Sequence, residues 1–482
     1  RRPPRSTLFP YTTLFRSRPE AEPRLWVHNP AGVAFDGWVE VEVLWPRTDE
    51  APGPAAIALL DPAGAPVPTR LVAPAEDTEV FRAEIDFNPD WFPVRRHRLA
   101  AWVALPATDG RVLRAVDATG VAIPQREPAV TAADALLQNE HLALHVLGDR
   151  LDLVDKATGR LYQDVQTFLD EADAGDEYNF SPLDGDLPRR ATLVSAKVIE
   201  AGPQRGVLEV RWSLRVPSGL AADRAGRTAT EVDLEPVTRF TLEAGARLLQ
   251  ARTTIENRAH DHRLRLVVGG VHASAEAWAE GMFGVFRREL APPPVLPVEK
   301  RTEAVMPEFP QGRFTALVDD EGGLAAAGIG LHEAAVLATA GGGKALALTL
   351  VRAVGWLSRD DLRTRGGGAG PRFPTPEAQC PGTHVFEHAL VPLATGWQDA
   401  LAPIEGWFAP PAAWAGGGPA AGAALVAWDG AGLQLSALKR SADGEALVVR
   451  LFNPGPQPVA GRLRVLVPHG GVAAADLAEE AI

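Results

Sequence analysis

The sequence predicts a mainly β protein of stacked antiparallel sheets. Apolar and polar residues alternate with period two over many short runs, as in strands with one buried face. Proline (42) and glycine (46) are abundant in the 482 residues and punctuate those runs with turns. Stretches with a helical period are few and short, a combination that favours sheet packed on sheet.

Taken in order, the elements support this. "GWVEVEVLW" (Gly37–Trp45) sets Val39, Val41 and Val43 on one face and Glu40 and Glu42 on the other. "GVLEVRWSLRV" (Gly206–Val216) alternates in the same way, and "TRFTLEAGARLLQARTTIENRA" (Thr238–Ala259) reads as two strands about a turn at Gly245. "KALALTLVR" and "EALVVRLFNPG" add further strands. A small β-sandwich is expected over residues 18–130 and a large β-unit over 131–404. A linker and a terminal β-sandwich, cut short, are expected over 405–482. "LAPPPVLPVEK" (Leu290–Lys300) reads as a long loop inside the large unit, and "FAPPAAWAGGGPAAGA" (Phe408–Ala423) as the linker.

Composition excludes several function classes. A net charge of −13, with no run of five basic residues, argues against a nucleic-acid surface, which needs clustered Lys and Arg. The one cysteine, Cys380, rules out a disulfide framework within the chain and leaves the compartment open, with the cytoplasm favoured. The most apolar region, Gly322–Val351, is broken by His332-Glu333 and by Gly341–Lys344, so no membrane span of ~20 apolar residues is expected.

"TLFPYTTLFRS" (Thr7–Ser17) differs in character from the charged, Pro-punctuated residues C-terminal to it. It resembles the translation of a common sequencing-library adapter, so residues 1–17 are set aside as non-native. They are expected to make no packed contacts, and the natural N-terminus is expected to be missing.

The candidate metal motifs read as structure. His384–His388, "HVFEH", fits H-x-x-E-H, but that chemistry needs a helix to bring both imidazoles to one ion. Pro381-Gly382 before it and Pro392 after it favour a strand, where the two rings would sit roughly 13 Å apart. "HDH" (His260–His262) offers two ligands on one strand face, too few for a site. "HEAAV" (His332–Val336) has Val336 where a second ligand belongs, and "GGGKA" (Gly341–Ala345) lacks the Ser or Thr of a phosphate loop. The acidic stretch "LDEADAGDEYNFSPLDGD" (Leu169–Asp186) lacks calcium-loop spacing. Tyr178 and Phe180 lie at strand spacing within it, and an aromatic ring beside carboxylates suits a sugar-facing surface.

Five blocks occur in an order that points to a family: "LQNEHLALHVLGDRLDLVDKATGRLY", "DAGDEYNFSP", "TIENRAHDHRLRL", "LTLVRAVGWLSRDDLRTRGGGAGPRFPTPEAQCPGTHVFEHAL" and "LSALKRSADGEALVVRLFNP". Together, over about Leu136–Pro454, they resemble the C-terminal half of glycoside hydrolase family 38, the α-mannosidases and mannosylglycerate hydrolases. "LWVHNPAGVAFDGWVEVEV" is similar to the small β-sandwich that precedes that half.

The resemblance implies stacked sandwiches around a large central supersandwich of the galactose-mutarotase type. It implies the non-catalytic β-half of a retaining, zinc-dependent α-mannosidase-type enzyme acting on α-mannosides. The nucleophile and the zinc ligands of such enzymes belong to an N-terminal barrel, and no segment here resembles it. The fragment alone is therefore expected to be inactive, with no catalytic residue and no metal ligand of its own. Its partners are expected to be an α-mannoside and the missing barrel, with no nucleic acid and no membrane. The family's pocket tyrosine maps onto Tyr178. Its pocket arginine maps onto Arg352, with Arg359 in "WLSRDD" as the second choice. Leu346, Leu348 and Leu350 share the strand parity of Arg352, which would point it along the core face at the strand's end. Tyr178 and Arg352 are expected to meet at one sheet edge, both open to solvent. His388 stands where the family commonly has tyrosine. The alternative reading is a free-standing carbohydrate-binding β-sandwich protein.

Overall fold

The computed structural model describes residues 23–82, 90–271, 275–290, 302–339, 341–416, 424–430, 432–480 and 482. The adapter-like segment and most of the Pro-rich stretch at 290–300 lie outside the described residues. The fold is mainly β, as expected, with antiparallel pairing throughout the strand ladders. The chain divides into two compact units, one made of the described residues up to Glu127 together with those from Glu405 onward, the other Pro128–Ile404.

In the first unit a three-stranded sheet runs in the order Phe35–Pro46, Asp90–Leu105, Thr69–Arg82. A four-stranded sheet runs Ala412–Ala415, Arg24–His28, Gly110–Asp117, Ile57–Leu60. The alternation read in "GWVEVEVLW" places Val39, Val41 and Val43 in their shared core with Leu25, Val27, Leu99 and Leu113. The segment read as a linker departs from that reading, because Ala412–Ala415 pairs in register with Arg24–His28, Trp414 opposite Trp26. Its alternating small and aromatic residues complete a sheet edge that a flexible Gly-Pro tether would leave open.

The second unit is a supersandwich. Its larger sheet has ten strands among the described residues, with Leu249–Asn257, Gly382–Leu393 and Gly322–Gly328 at its centre. Facing it is a six-stranded sheet centred on Thr167–Ala172, His262–Val271 and Lys344–Ala353. Phe168 of the smaller sheet meets Trp212 of the larger edge-on, with ring centroids 5.6 Å apart and both side chains buried. A five-stranded sheet, Thr131–Ala133 to Leu161–Tyr162, closes one side, and the buried Tyr162 hydroxyl donates to the Gly323 carbonyl at 2.6 Å. Burial pushes that phenol up to about 12.

The "HVFEH" motif lies on the Gly382–Leu393 strand, as its flanking prolines indicated. Its two histidines serve different ends. His384 Nε2 reaches the Cys380 carbonyl. His388 is buried between the sheets and joins a polar chain with Gln166, Thr238 and Thr253, each link 2.8 Å long. Burial alone pushes the His388 imidazole down to about 3, so it is neutral and its Nε2–H donates to the Gln166 side-chain oxygen. Among the described residues no helix is long and apolar enough to cross a membrane.

The depressed His388 value predicts a pH effect. Unfolded, this group titrates near 6.5, so between pH 6.5 and 3 the unfolded chain holds a proton that the folded one does not. Stability present above pH 6.5 is lost as the pH falls toward 3, at up to about 1.4 kcal/mol per pH unit. Urea midpoints of the chain should fall between pH 7 and 4.5, and fall less in His388→Gln; equal slopes in both would refute the assignment.

Candidate functional site

The acidic stretch after Thr167–Ala172 is not a solvated loop. Asp173 and Asp176 are fully buried, and a buried carboxylate persists only when its charge is met by donors. Asp173 Oδ1 accepts the backbone amides of Gly175 and Ser181 at 2.9 and 3.2 Å. Its Oδ2 takes Nε and Nη2 of Arg352 at 2.9 and 2.8 Å. Asp176 Oδ1 accepts the amides of Tyr178 and Asn179 at 3.0 and 2.9 Å. Its Oδ2 accepts the Arg359 amide at 2.7 Å and Arg365 Nη2 at 2.6 Å. Burial pushes both carboxyls up. For Asp173 it prevails over the pull of Arg352, whereas for Asp176 the Arg365 guanidinium and the Arg359 and Asn179 amides outweigh it and hold the carboxyl below the usual range.

The loop is thereby sewn to the segment 356–374. Glu177 N–H donates to the Trp356 carbonyl, Thr364 to the Phe180 carbonyl, and Arg363 N–H to Ser181 Oγ. Gly175 must be glycine, because an added Cβ would lie 2.0 Å from the Asn179 carbonyl. Buried Ser358 accepts the amides of Ala369 and Gly370, which turns the glycine-rich run "GGGAGP" back over the site.

What this frame presents to solvent is aromatic and acidic. Tyr178 is 53% exposed and Phe373 59%, with Trp356 half-buried between them in the chain. The Tyr178 ring lies against Gly370, where a Cβ would meet its hydroxyl at 3.0 Å. Trp356 pairs with Pro374, and the Leu357 amide donates to the Phe373 carbonyl. Arg359 forms a fork with Asp361, 2.8 and 2.5 Å, which holds that carboxyl below and that guanidinium above their usual ranges. Glu177 is exposed beside Tyr178.

The three residues singled out from the sequence thus converge on one loop pair, in different states. Tyr178 faces solvent. Arg359 is buried to 9% exposure and lies 5.4 Å from the Trp356 ring centre, its fork turned to Asp361. Arg352 reaches the same loop, donating to the Asp176 carbonyl at 2.9 Å, but it is not open as expected: buried Asp173 neutralises it. Arg352 also faces the other way from that expected by strand parity. Opposite the His262–Val271 strand, Val351 pairs with Leu264 and Thr349 with Arg265, so Leu350 is an extra residue in a β-bulge. A bulge reverses which side chains face in. Val351 and Ala353 turn to the core, and Arg352 turns to the other face, opposite Arg263.

That face is itself covered. Arg263 is buried with Glu171 and Glu308, and its guanidinium lies 3.5 Å over the Phe180 ring. Sequence reasoning missed Asp176, Arg365, Ser358 and Trp356. Only the abundance of arginines in "RDDLRTR" hinted that the acidic run had counterparts.

The zinc that the resemblance implies finds no ligand set in this chain's described residues. No three His, Cys, Asp or Glu side chains there lie together as an ion requires. His262 is occupied instead, its Nδ1 on Asp170 at 2.6 Å and its Nε2 on Asn257 at 3.0 Å, all buried.

No family model matches the chain. A putative mannosylglycerate hydrolase of Halalkalibacterium halodurans is 28% identical over 372 residues, taking in 70% of this chain and 38% of that protein. An α-mannosidase from Enterococcus faecalis superposes with a TM-score of 0.81 at 21% identity, covering 98% of this chain and 54% of the other. A glycosyl hydrolase family 38 protein from the same species gives 0.78, also at 21% identity, over 98% and 56%. The chain resembles part of a family 38 glycosidase. At 21% identity the structural likeness concerns the fold, and it extends the resemblance seen in five sequence blocks to nearly the whole chain. The chain spans about half the length of the solved family 38 structures and less of the curated relative.

The Asp173–Arg352 pair makes a stability prediction. Arg352→Ala strands a buried carboxylate and should cost about 3 kcal/mol in urea unfolding. Asp173→Asn combined with Arg352→Met should cost less than that single change, because no charge is left unpaired.

Proposed function

We propose that this chain is the C-terminal β-half of a retaining α-mannosidase-type glycoside hydrolase, and that the Tyr178 surface forms one wall of its sugar pocket. The observation that carries this reading is the pairing of two facts. The fold follows family 38 structures over nearly the whole chain. The loop onto which the family's tyrosine maps by resemblance is also the one that buried, hydrogen-bonded carboxylates anchor, with the Tyr178 ring exposed.

The chemistry suits a sugar. The apolar C–H face of a pyranose packs on an aromatic ring, and its hydroxyls donate to carboxylates at the rim. Tyr178 and Trp356 supply the rings; Glu177 and Asp361 supply acceptors, and the Tyr178 hydroxyl both donates and accepts. Retaining hydrolysis needs two carboxylates about 5–5.5 Å apart, one acting as nucleophile. In this reading that pair and the zinc belong to the barrel, and this chain contributes binding energy and orientation. Such contacts raise the rate only where they hold the substrate against the reacting groups.

The test has two arms. The chain expressed alone, with zinc added, should not turn over an aryl α-mannoside, and should bind methyl α-mannoside only weakly. Tyr178→Ala should abolish that binding while leaving the urea midpoint within about 0.5 kcal/mol, as expected for an exposed side chain. Turnover by the lone chain, lost on changing Asp170, Glu171, Asp173, Asp176 or Glu177, would move the catalytic centre into this half.

A further inference from the structure

We propose that Asp176 and Arg365 are positioning residues for Tyr178: together they lock the tyrosine's loop to the segment that backs its ring. The proposal rests on the sugar-wall reading for its consequence, but not for its geometry.

Asp176 divides its two oxygens between two tasks. Oδ1 serves mainly the local turn, accepting the amides of Tyr178 and Asn179 at 3.0 and 2.9 Å with Arg365 Nη1 at a longer 3.4 Å, and so shapes the turn that carries Tyr178. Oδ2 is long-range, accepting the Arg359 amide and Arg365 Nη2 from a segment more than 180 residues away in sequence. Arg365 is buried and uses its remaining donors on the same seam. Nε goes to the Gly367 carbonyl at 2.8 Å, Nη2 also to the Arg359 carbonyl at 2.8 Å, and Nη1 to the Asn179 side-chain oxygen. One guanidinium therefore ties the Tyr178 turn to the start and the end of the 359–367 loop. The Tyr178 ring stands 6.0 Å from that guanidinium carbon and rests on Gly370, three residues beyond Gly367.

An exposed tyrosine backed by a flexible glycine run would sample many rotamers, and ordering it would consume binding energy. Here the backing is fixed by a buried ion pair whose planar fork leaves little freedom. Both side chains are buried, so neither is placed to hold the sugar. Their effect on binding passes through Tyr178.

Asp176→Asn separates the two tasks. The amide oxygen can still accept the Tyr178 and Asn179 amides, while the new amide donor faces the Arg359 and Arg365 donors. Arg365→Lys keeps the charge and loses the fork. The chain has three tyrosines, Tyr11, Tyr162 and Tyr178. Labelling with 3-fluorotyrosine in a Tyr11→Phe background leaves two fluorine resonances, which Tyr178→Phe assigns. Tyr162, buried and bonded to Gly323, reports on the integrity of the fold.

In both variants the Tyr178 resonance should move more than halfway toward its value in a short peptide, with Tyr162 unmoved. Methyl α-mannoside binding should weaken about tenfold, a change of one decade in Kd. If the Tyr178 resonance moves but even the parent chain binds no mannoside, positioning stands and the sugar-wall reading falls. A Tyr178 resonance that stays in place in both variants overturns the proposal, as does unchanged mannoside binding alongside a displaced ring. Should Asp176→Asn also disturb Tyr162, Arg365→Lys decides the matter by the same criteria.

Discussion

The organisation of the site depends on burying two aspartate charges beside a sheet. A carboxylate out of water needs several donors at once; backbone amides meet only one oxygen of Asp173, and a single amide, that of Arg359, reaches the second oxygen of Asp176. The second oxygen of each draws an arginine from a distant part of the chain, Arg352 for one and Arg365 for the other. The loop at 173–181 cannot leave the segment at 356–374 without stranding charge on both sides. An exposed aromatic surface on such a frame is stiff by construction, although it is made of loops.

The sheet beneath follows a different rule. Between the two large sheets Phe168 packs edge-on against Trp212, and His388, Gln166, Thr238 and Thr253 form one hydrogen-bonded chain. On the outer face of the six-stranded sheet the Arg263, Arg265 and Glu171 cluster occupies positions that a solvated sheet would leave wet. Phe180 and Glu308 cover it. The acidic loop thus has two roles: its carboxylates hold arginines, and its second aromatic residue roofs a buried ionic patch.

The bulge at Leu350 connects these layers. One inserted residue turns Arg352 from the core side to the loop side, where Asp173 can reach it. Without the bulge, strict alternation would aim the guanidinium at the opposite face of the sheet, away from Asp173. A local irregularity of the ladder therefore decides which face of the strand takes part in the site. Bulges commonly redirect a side chain next to a functional surface.

By itself the sequence determined the β architecture, because alternation and Pro-Gly punctuation act within a few residues and need no partner. Val39, Val41 and Val43 were legible as a core face, and "HVFEH" was legible as a strand from its flanking prolines. The five ordered blocks likewise identified which protein family the chain resembles. Tertiary structure alone decided the rest. Strand parity is a rule for an unbroken ladder, so Arg352 was misplaced once Leu350 bulged out. The partners of Asp173 and Asp176 lie 179 and 189 residues away, and one-dimensional spacing carries no information about such pairings. An acidic run looks like a solvated loop until folding brings arginines to it. Only the packed chain shows that the charges of Asp173 and Asp176 are internal and that Tyr178 and Glu177 are what the loop exposes beside them.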